Sequence, residues 1–134
     1  MRNRFSDASV SYDLERSPNA RVLAFFEYSY QTIDSLIGST SEKTIHVDKP
    51  VGTARLVQFL RRHGRNHRIL GIDIAPGMIT VSRHVSRGDP VTKLCFGDAF
   101  HLPLPDNSVD LLTSLRFFHL FPKIFWSDLL FEMQ

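Results

Sequence analysis

Cysteine is nearly missing from this chain: Cys95 stands alone among 134 residues. One thiol makes neither an internal disulfide nor a cysteine-based metal cluster, so disulfide scaffolds and zinc fingers are excluded. Its rarity fits a reducing compartment. Long apolar runs are also absent, and no stretch approaches the ~20 apolar residues of a membrane span. The opening residues, Met1-Arg2-Asn3-Arg4-Phe5-Ser6-Asp7, are polar and lack the apolar core of a secretory signal. Together these features read as a soluble, cytoplasmic protein. A dominant charge sign is lacking too: 16 basic side chains face 14 acidic ones, a net charge of +2. That surplus does not by itself argue for nucleic acid. Internal repeats and low-complexity segments are not found.

What is present is the composition of a folded domain. Hydrophobic residues make up 43% and charged residues 22%, values typical of globular proteins. The length suits one domain with a real core.

Two parts are expected: a polar lead with a helix over residues 1–43, and an α/β unit over 44–134. Ser17-Pro18 reads as an N-cap followed by proline in the first turn. Val22, Phe26, Tyr30, Ile33 and Ile37 then recur at helical spacing, and Gly38 ends the run. From residue 44, strand-like runs alternate with helical ones. Thr44–Val47 precedes a helix over Gly52–Arg62, and Arg68–Ile74 precedes one over Pro76–Arg87. Val91–Phe96 and Val109–Ser114 are further strands, and a helix at about 122–133 closes the chain. Such alternation predicts a doubly wound α/β fold with a parallel sheet.

Three aspartates fall at expected strand ends. Asp48, Asp73 and Asp98 are 25 residues apart each time (73 − 48 and 98 − 73). In an open parallel sheet the C-terminal strand ends share one crevice, where ligands bind. A single acid there is as readily a helix cap; three in phase favour a shared ligand role. Between Asp48 and the first crossover helix, Lys49-Pro50-Val51-Gly52-Thr53-Ala54 supplies small residues that let a ligand reach the backbone. Arg55 sits where the dinucleotide fingerprint needs its third glycine, which disfavours a nicotinamide or flavin cofactor.

These stretches resemble a family. Asp48-x-Pro50-x-Gly52-x-Ala54 is similar to the glycine-rich loop of class I S-adenosylmethionine-dependent methyltransferases. Gly71-Ile72-Asp73-Ile74-Ala75-Pro76-Gly77-Met78 resembles their second motif. Gly97-Asp98-Ala99, continued by Leu102-Pro103-Leu104-Pro105-Asp106-Asn107-Ser108-Val109-Asp110, resembles the most specific stretch of the type 11 and quinone-methyltransferase-like branches. The likeness covers about residues 44–134, and Ser11-Tyr12-Asp13 extends it.

The resemblance implies a Rossmann-like sheet limited to its first four strands, in order 3-2-1-4. It implies S-adenosyl-L-methionine as cofactor and methyl transfer to a small organic or lipid-like acceptor. Asp73 would hold the ribose hydroxyls, and Asp98 the adenine amino group with Ala99 beside the ring. Ile74 belongs to the same pocket. Gly52 and Thr53 would let the methionyl part pass, with Asp48 near its ammonium. Asp110 reads as a strand-end residue.

Other positions stand apart. His119 is a weak candidate for a base on the acceptor side, with Arg116 beside it and His101 weaker still. His63 and His67 are four apart but have no acids on their face, so no metal site is expected. The run from Arg61 to Arg68 reads as a solvated face, without the interleaved aromatics that nucleic acid would need. Seven of the eleven phenylalanines lie between Phe96 and Phe131, the material for a core or for an apolar acceptor pocket. Ala54, in place of a glycine, is expected to resist positive φ. His46 and Lys49 are unexpected in or beside a central strand, where burial demands partners. Asp128–Gln134 resembles the helix before the family's fifth strand, which implies a truncated domain. The second reading is therefore a noncatalytic fragment or interaction module. It would complete its sheet at the open fourth-strand edge with a partner or by self-association.

Overall fold

The structure, a computed structural model, describes residues 20–134. The expectations for Ser17-Pro18 and Ser11-Tyr12-Asp13 lie outside them. Helix α1 spans Ala20–Ile37, and its predicted apolar stripe is the face turned inward. Phe26 and Tyr30 are buried, while Val22, Ile33 and Ile37 pack against the same cluster. Gly38 follows at φ 65°, the left-handed stop that glycine takes without a Cβ penalty.

Four strands form one parallel sheet: β1 (Ile45–Asp48), β2 (Arg68–Asp73), β3 (Thr92–Phe96) and β4 (Leu111–Thr113). Their order is β3-β2-β1-β4, the order the family resemblance implies. Helices α2 (Arg55–Arg62) and α3 (Pro76–Val85) make the crossovers, and α4 (Trp126–Phe131) comes near the end. Register places Asp48 opposite Gly71 on one side and Thr113 on the other.

Helix α2 is the main packing element. Leu56, Val57, Phe59 and Leu60 are buried on one face, each stabilising the fold by about 1.5–3 kcal/mol against exposure. Phe26, Tyr30 and Phe59 form a run of ring contacts at centroid distances of 5.9 and 5.5 Å. This run ties α1 to the sheet's helical cover.

Several boundaries differ from expectation. The first crossover helix starts at Arg55, because Gly52 (φ 54°) and Ala54 (φ 62°) hold left-handed conformations that interrupt helical geometry. Ala54 thus adopts the positive φ that its side chain was expected to resist. The closing helix is divided into a 3₁₀ turn at Lys123–Phe125 and the six residues of α4. Strand β4 has only three residues, and Asp110 precedes it, accepting a 2.8 Å hydrogen bond from the Ile45 amide. Among the described residues no helix is long and apolar enough to cross a membrane.

The charged run Arg61–Arg68, which begins in the last turn of α2, is in part the solvated face the sequence predicts: Arg62, His63, Asn66 and Arg68 are exposed, and Arg61, Arg65 and His67 are not. Arg61 pairs with Asp89 at 2.8 Å and Arg65 with Asp34 at 2.7 Å. His67 is 1% exposed. Arg61, Arg65 and His67 turn inward where the chain leaves α2 and returns to the sheet.

Candidate cofactor site

The C-terminal ends of β1, β2 and β3 open into a cavity of about 460 Å³, within the roughly 300–1,000 Å³ of small-molecule sites. Asp48, Gly52, Thr53, Asp73, Ile74, Asp98 and Ala99 all line it. These residues come from three strand–loop junctions and meet because the strands are parallel and in phase.

The loop after β1 is held in line with the sheet. The Lys49 amide donates to the Thr113 carbonyl at 3.0 Å, and the Val51 amide to the Ile72 carbonyl at 2.9 Å. Val51 fits because residue 71 is glycine: a Cβ there would stand 2.6 Å from Val51 Cγ2. Asp73 then joins the loop to α3. Its Oδ2 accepts from the Gly52 amide and its Oδ1 from the Ala75 amide, both at 2.9 Å. Burial pushes the Asp73 carboxyl above its ordinary range, while bonds from the Ala75, Gly52 and Ile74 amides pull it back. Each oxygen still has a lone pair for a further donor.

Asp48 is the most enclosed acid, 3% exposed. Burial raises its pKa to about 7; the hydroxyl of Thr113, donating to Oδ1 at 2.7 Å, lowers it, and the nearby Asp73 charge raises it. Asp98 stands exposed on the rim. Its Oδ1 accepts from the Phe100 amide at 2.9 Å, and its Oδ2 lies 3.9 Å from His101 Nδ1.

The two unexpected residues of the central strand region have partners. Lys49 is 1% exposed and its Nζ donates to the Ala99 carbonyl at 3.0 Å. Burial lowers its pKa, and the charges of Glu132 and Asp98 raise it. Glu132 also steadies this loop, accepting from the Leu102 amide at 2.5 Å. His46 lies between His67 and Thr113, with Nδ1 3.0 Å from His67 Nε2 and Nε2 2.8 Å from Thr113 Oγ1. Burial, then His67 and Arg61, lower the His46 pKa to about 4, so this ring is neutral at pH 7.

The opposite wall is apolar. Phe100, Phe117 and Phe121 line it with Met78, Leu115 and Leu120. Phe121 contacts Phe117 and Phe100 at centroid distances of 4.9 and 5.4 Å. Of the seven clustered phenylalanines, Phe96, Phe118, Phe125 and Phe131 are not part of this lining. His119 is exposed on the 3₁₀ turn Phe118–Leu120 and does not line the cavity. Arg116 does, with its guanidinium 5.0 Å from the centre of the Phe26 ring. Among the described residues no cluster of three or more His, Cys, Asp or Glu could hold a metal.

Sequence reasoning missed Thr113 and His67 as neighbours of the site. The signal for both is the parallel register, which pairs residues 65 and 21 positions apart and is not written in local sequence.

Comparison with known proteins agrees with this geometry. Residues 47–132 match a family model described as a methyltransferase domain, of the type 11 branch. The malonyl-[acyl-carrier protein] O-methyltransferase of Yersinia pestis is 30% identical over 114 residues, 82% of this chain and 36% of that protein. A Methanococcus maripaludis structure assigned as an S-adenosyl-L-methionine-dependent methyltransferase superposes with a TM-score of 0.76 at 15% identity. The match covers 96% of this chain and 57% of that one. Geranyl diphosphate C-methyltransferase from Streptomyces coelicolor, solved with S-adenosyl-L-homocysteine, gives 0.62 at 15% identity over 71% and 36%. The chain thus spans about one third to little more than half the length of these relatives. By its matched residues and strand order, it belongs to the class I S-adenosylmethionine-dependent methyltransferase family.

Proposed function

We propose that this chain binds S-adenosyl-L-methionine in the cavity at the ends of β1–β3 and takes part in methyl transfer to a small organic or lipid-like acceptor. The observation that carries the reading is the convergence of three carboxylates, a left-handed glycine loop and an apolar wall on one cavity. The residues fit the cofactor's chemistry. A cationic, amphipathic ligand finds an anionic rim on one side and an apolar wall on the other.

Residue roles follow from position. Asp73 accepts from the two ribose hydroxyls with the lone pairs its amide bonds leave open. Asp98, exposed on the rim, accepts from the adenine amino group, with Ala99 and Ile74 against the ring. Gly52 and Thr53 let the methionyl chain run along the backbone, and Asp48 takes its ammonium. When bound, S-adenosylmethionine supplies a methyl group activated by its positive sulfur. The chain's contribution is to hold that methyl in line with the acceptor's lone pair, where orientation lowers much of the barrier. The wall around Phe117 and Phe121 keeps water away and accommodates an apolar acceptor. A dedicated base is not required of the protein.

Titration calorimetry with S-adenosylmethionine tests the reading directly. One-site binding is expected; no heat at millimolar cofactor, with folding verified by circular dichroism, would overturn it.

A second reading is self-association. Among the described residues strand β4 pairs only with β1, and Ile124 and Phe131, later in the chain, are each 77% exposed. An open edge together with exposed apolar side chains favours pairing with another copy. A melting temperature independent of protein concentration, with a monomer mass in sedimentation, would exclude it.

A further inference from the structure

We infer that His67, His46 and Thr113 are positioning residues that act through Asp48: they form one directional hydrogen-bond chain that ties this carboxylate's charge to the tautomers of two buried histidines. The chain crosses the sheet from the residue before β2, through β1, to β4 and back to the end of β1. Its links are His67 Nε2 to His46 Nδ1 at 3.0 Å, His46 Nε2 to Thr113 Oγ1 at 2.8 Å, and Thr113 Oγ1 to Asp48 Oδ1 at 2.7 Å. His46, His67 and Asp48 are all no more than 3% exposed and Thr113 is half-buried, which limits competition from water. The remaining ring nitrogen, His67 Nδ1, is buried without a partner.

Donor and acceptor counting fixes the direction. An ionised Asp48 only accepts, so the Thr113 hydroxyl donates to it. That hydroxyl oxygen then accepts from His46 Nε2–H. A neutral His46 therefore has a bare Nδ1, which accepts from His67 Nε2–H, and His67 Nδ1 keeps only a lone pair. Reversing every link needs one added proton. Asp48 would donate to Thr113, Thr113 to His46 Nε2, His46 Nδ1–H to His67 Nε2, and His67 would carry its proton on Nδ1. Both histidines stay neutral in either order and exchange tautomer; the carboxyl holds the one proton gained.

The surrounding charges bear on both ends. Burial first, then Arg61 on α2 and Arg65 after it, disfavour a charged His67, against Asp34 on α1. Arg61 also disfavours a charged His46. Asp73 at the end of β2 disfavours a charged Asp48. The donated Thr113 hydroxyl opposes that last effect, which is the chain's work on the site.

The test is nitrogen-15 NMR of the histidines and carbon-13 NMR of the Asp48 carboxyl, on the full 134-residue chain without ligand. Above pH 8 both rings are expected as Nε2–H tautomers. On acidification both should move to Nδ1–H with the midpoint of the Asp48 carboxyl. Thr113→Val should raise that midpoint by about one to two pH units and uncouple the rings; Thr113→Ser should restore both. Asp48 titrating while the two tautomers stay fixed would overturn the proposal, and so would a Thr113→Val midpoint equal to wild type. If the valine variant does not fold, the wild-type titration alone decides. The consequence for the cofactor rests on the preceding functional reading. S-adenosylhomocysteine, which carries the same ammonium, should bind about tenfold tighter for each pH unit gained below the Asp48 midpoint and level off above it. Coupled titration with no binding of S-adenosylhomocysteine would overturn the cofactor reading and leave the chain of bonds standing.

Discussion

The two ends of the four-stranded sheet handle charge in opposite ways. Where β2 and β3 begin, each central charge has a partner of opposite sign: Arg61 with Asp89, Arg65 with Asp34. Where β1 and β2 end, Asp48 and Asp73 are buried, and among the described residues neither lies in an ion pair. Neutral donors hold them instead, a hydroxyl for Asp48 and backbone amides for Asp73. Buried carboxylates with no cation cost stability. The paired end is built to hold the fold; the unpaired end leaves room for a cation to arrive. In the proposed reading that cation is the ligand.

The sharpest way to break this contrast is to remove the buried charge. Asp48 has a folded-state pKa of about 7 against 3.8 for the free side chain. Raised in the fold, it favours the folded state fully below pH 3.8, and that contribution is lost as pH rises through 7. Asp48→Asn is therefore expected to stabilise the ligand-free protein at pH 8, by up to about 4 kcal/mol, while weakening cofactor binding. Urea denaturation at pH 8 and calorimetry read the two opposite effects. A variant less stable than wild type at that pH would end the comparison.

Asp73→Asn gives the next largest effect. Losing a charged acceptor for two hydroxyls should weaken S-adenosylmethionine binding by about 100-fold, or ~2–3 kcal/mol. Titration calorimetry checks it, and unchanged affinity would remove Asp73 from the site.

At the paired end the signs reverse. Arg65→Met removes the bonds to Asp34 and to the Gly38 carbonyl, and should cost about 1–2 kcal/mol of stability. Cofactor affinity should stay within about twofold. A large loss of affinity without a loss of stability would show that the two ends are not separate in function.

The smallest effect concerns acid. His46, with its pKa lowered to about 4 from 6.5, favours the fold above pH 6.5 and loses that contribution as pH falls through 4. Asp48 gains over an overlapping range, so wild-type stability should change little between pH 7 and 5. In Asp48→Asn the gain from Asp48 is gone, and stability should fall across that interval relative to the wild-type profile. Denaturation midpoints at half-unit steps of pH distinguish the two profiles.

Much of this was legible in the sequence, for reasons tied to particular residues. The inward face of α1 was readable because Phe26 and Tyr30 repeat at helical spacing. The three acids were readable because one strand and one helix fill about 25 residues, so equal spacing in the chain became one rim in space. Less local facts were hidden. The start of α2 at Arg55 depends on left-handed backbone at Gly52 and Ala54, and Ala54 adopts it against its own preference. His67 reads as a surface residue until β2 pairs with β1 and brings it against His46. Thr113 carries no motif; only its register opposite Asp48 gives it a place. His119 stands outside the cavity lining, because a sequence near the end of β4 does not say which side of the following turn faces inward.

The packing of Trp126 has a practical side. Its indole Nε1–H donates to the carbonyls of Phe118 and Phe121 at 2.9 and 3.1 Å, and Phe121 lines the cavity. The chain has no other tryptophan. All indole emission therefore comes from one ring hydrogen-bonded to the wall of the site. If the cavity takes S-adenosylmethionine as proposed, Trp126 serves as a built-in optical probe, and its emission is expected to change as the cofactor is added, with no label needed.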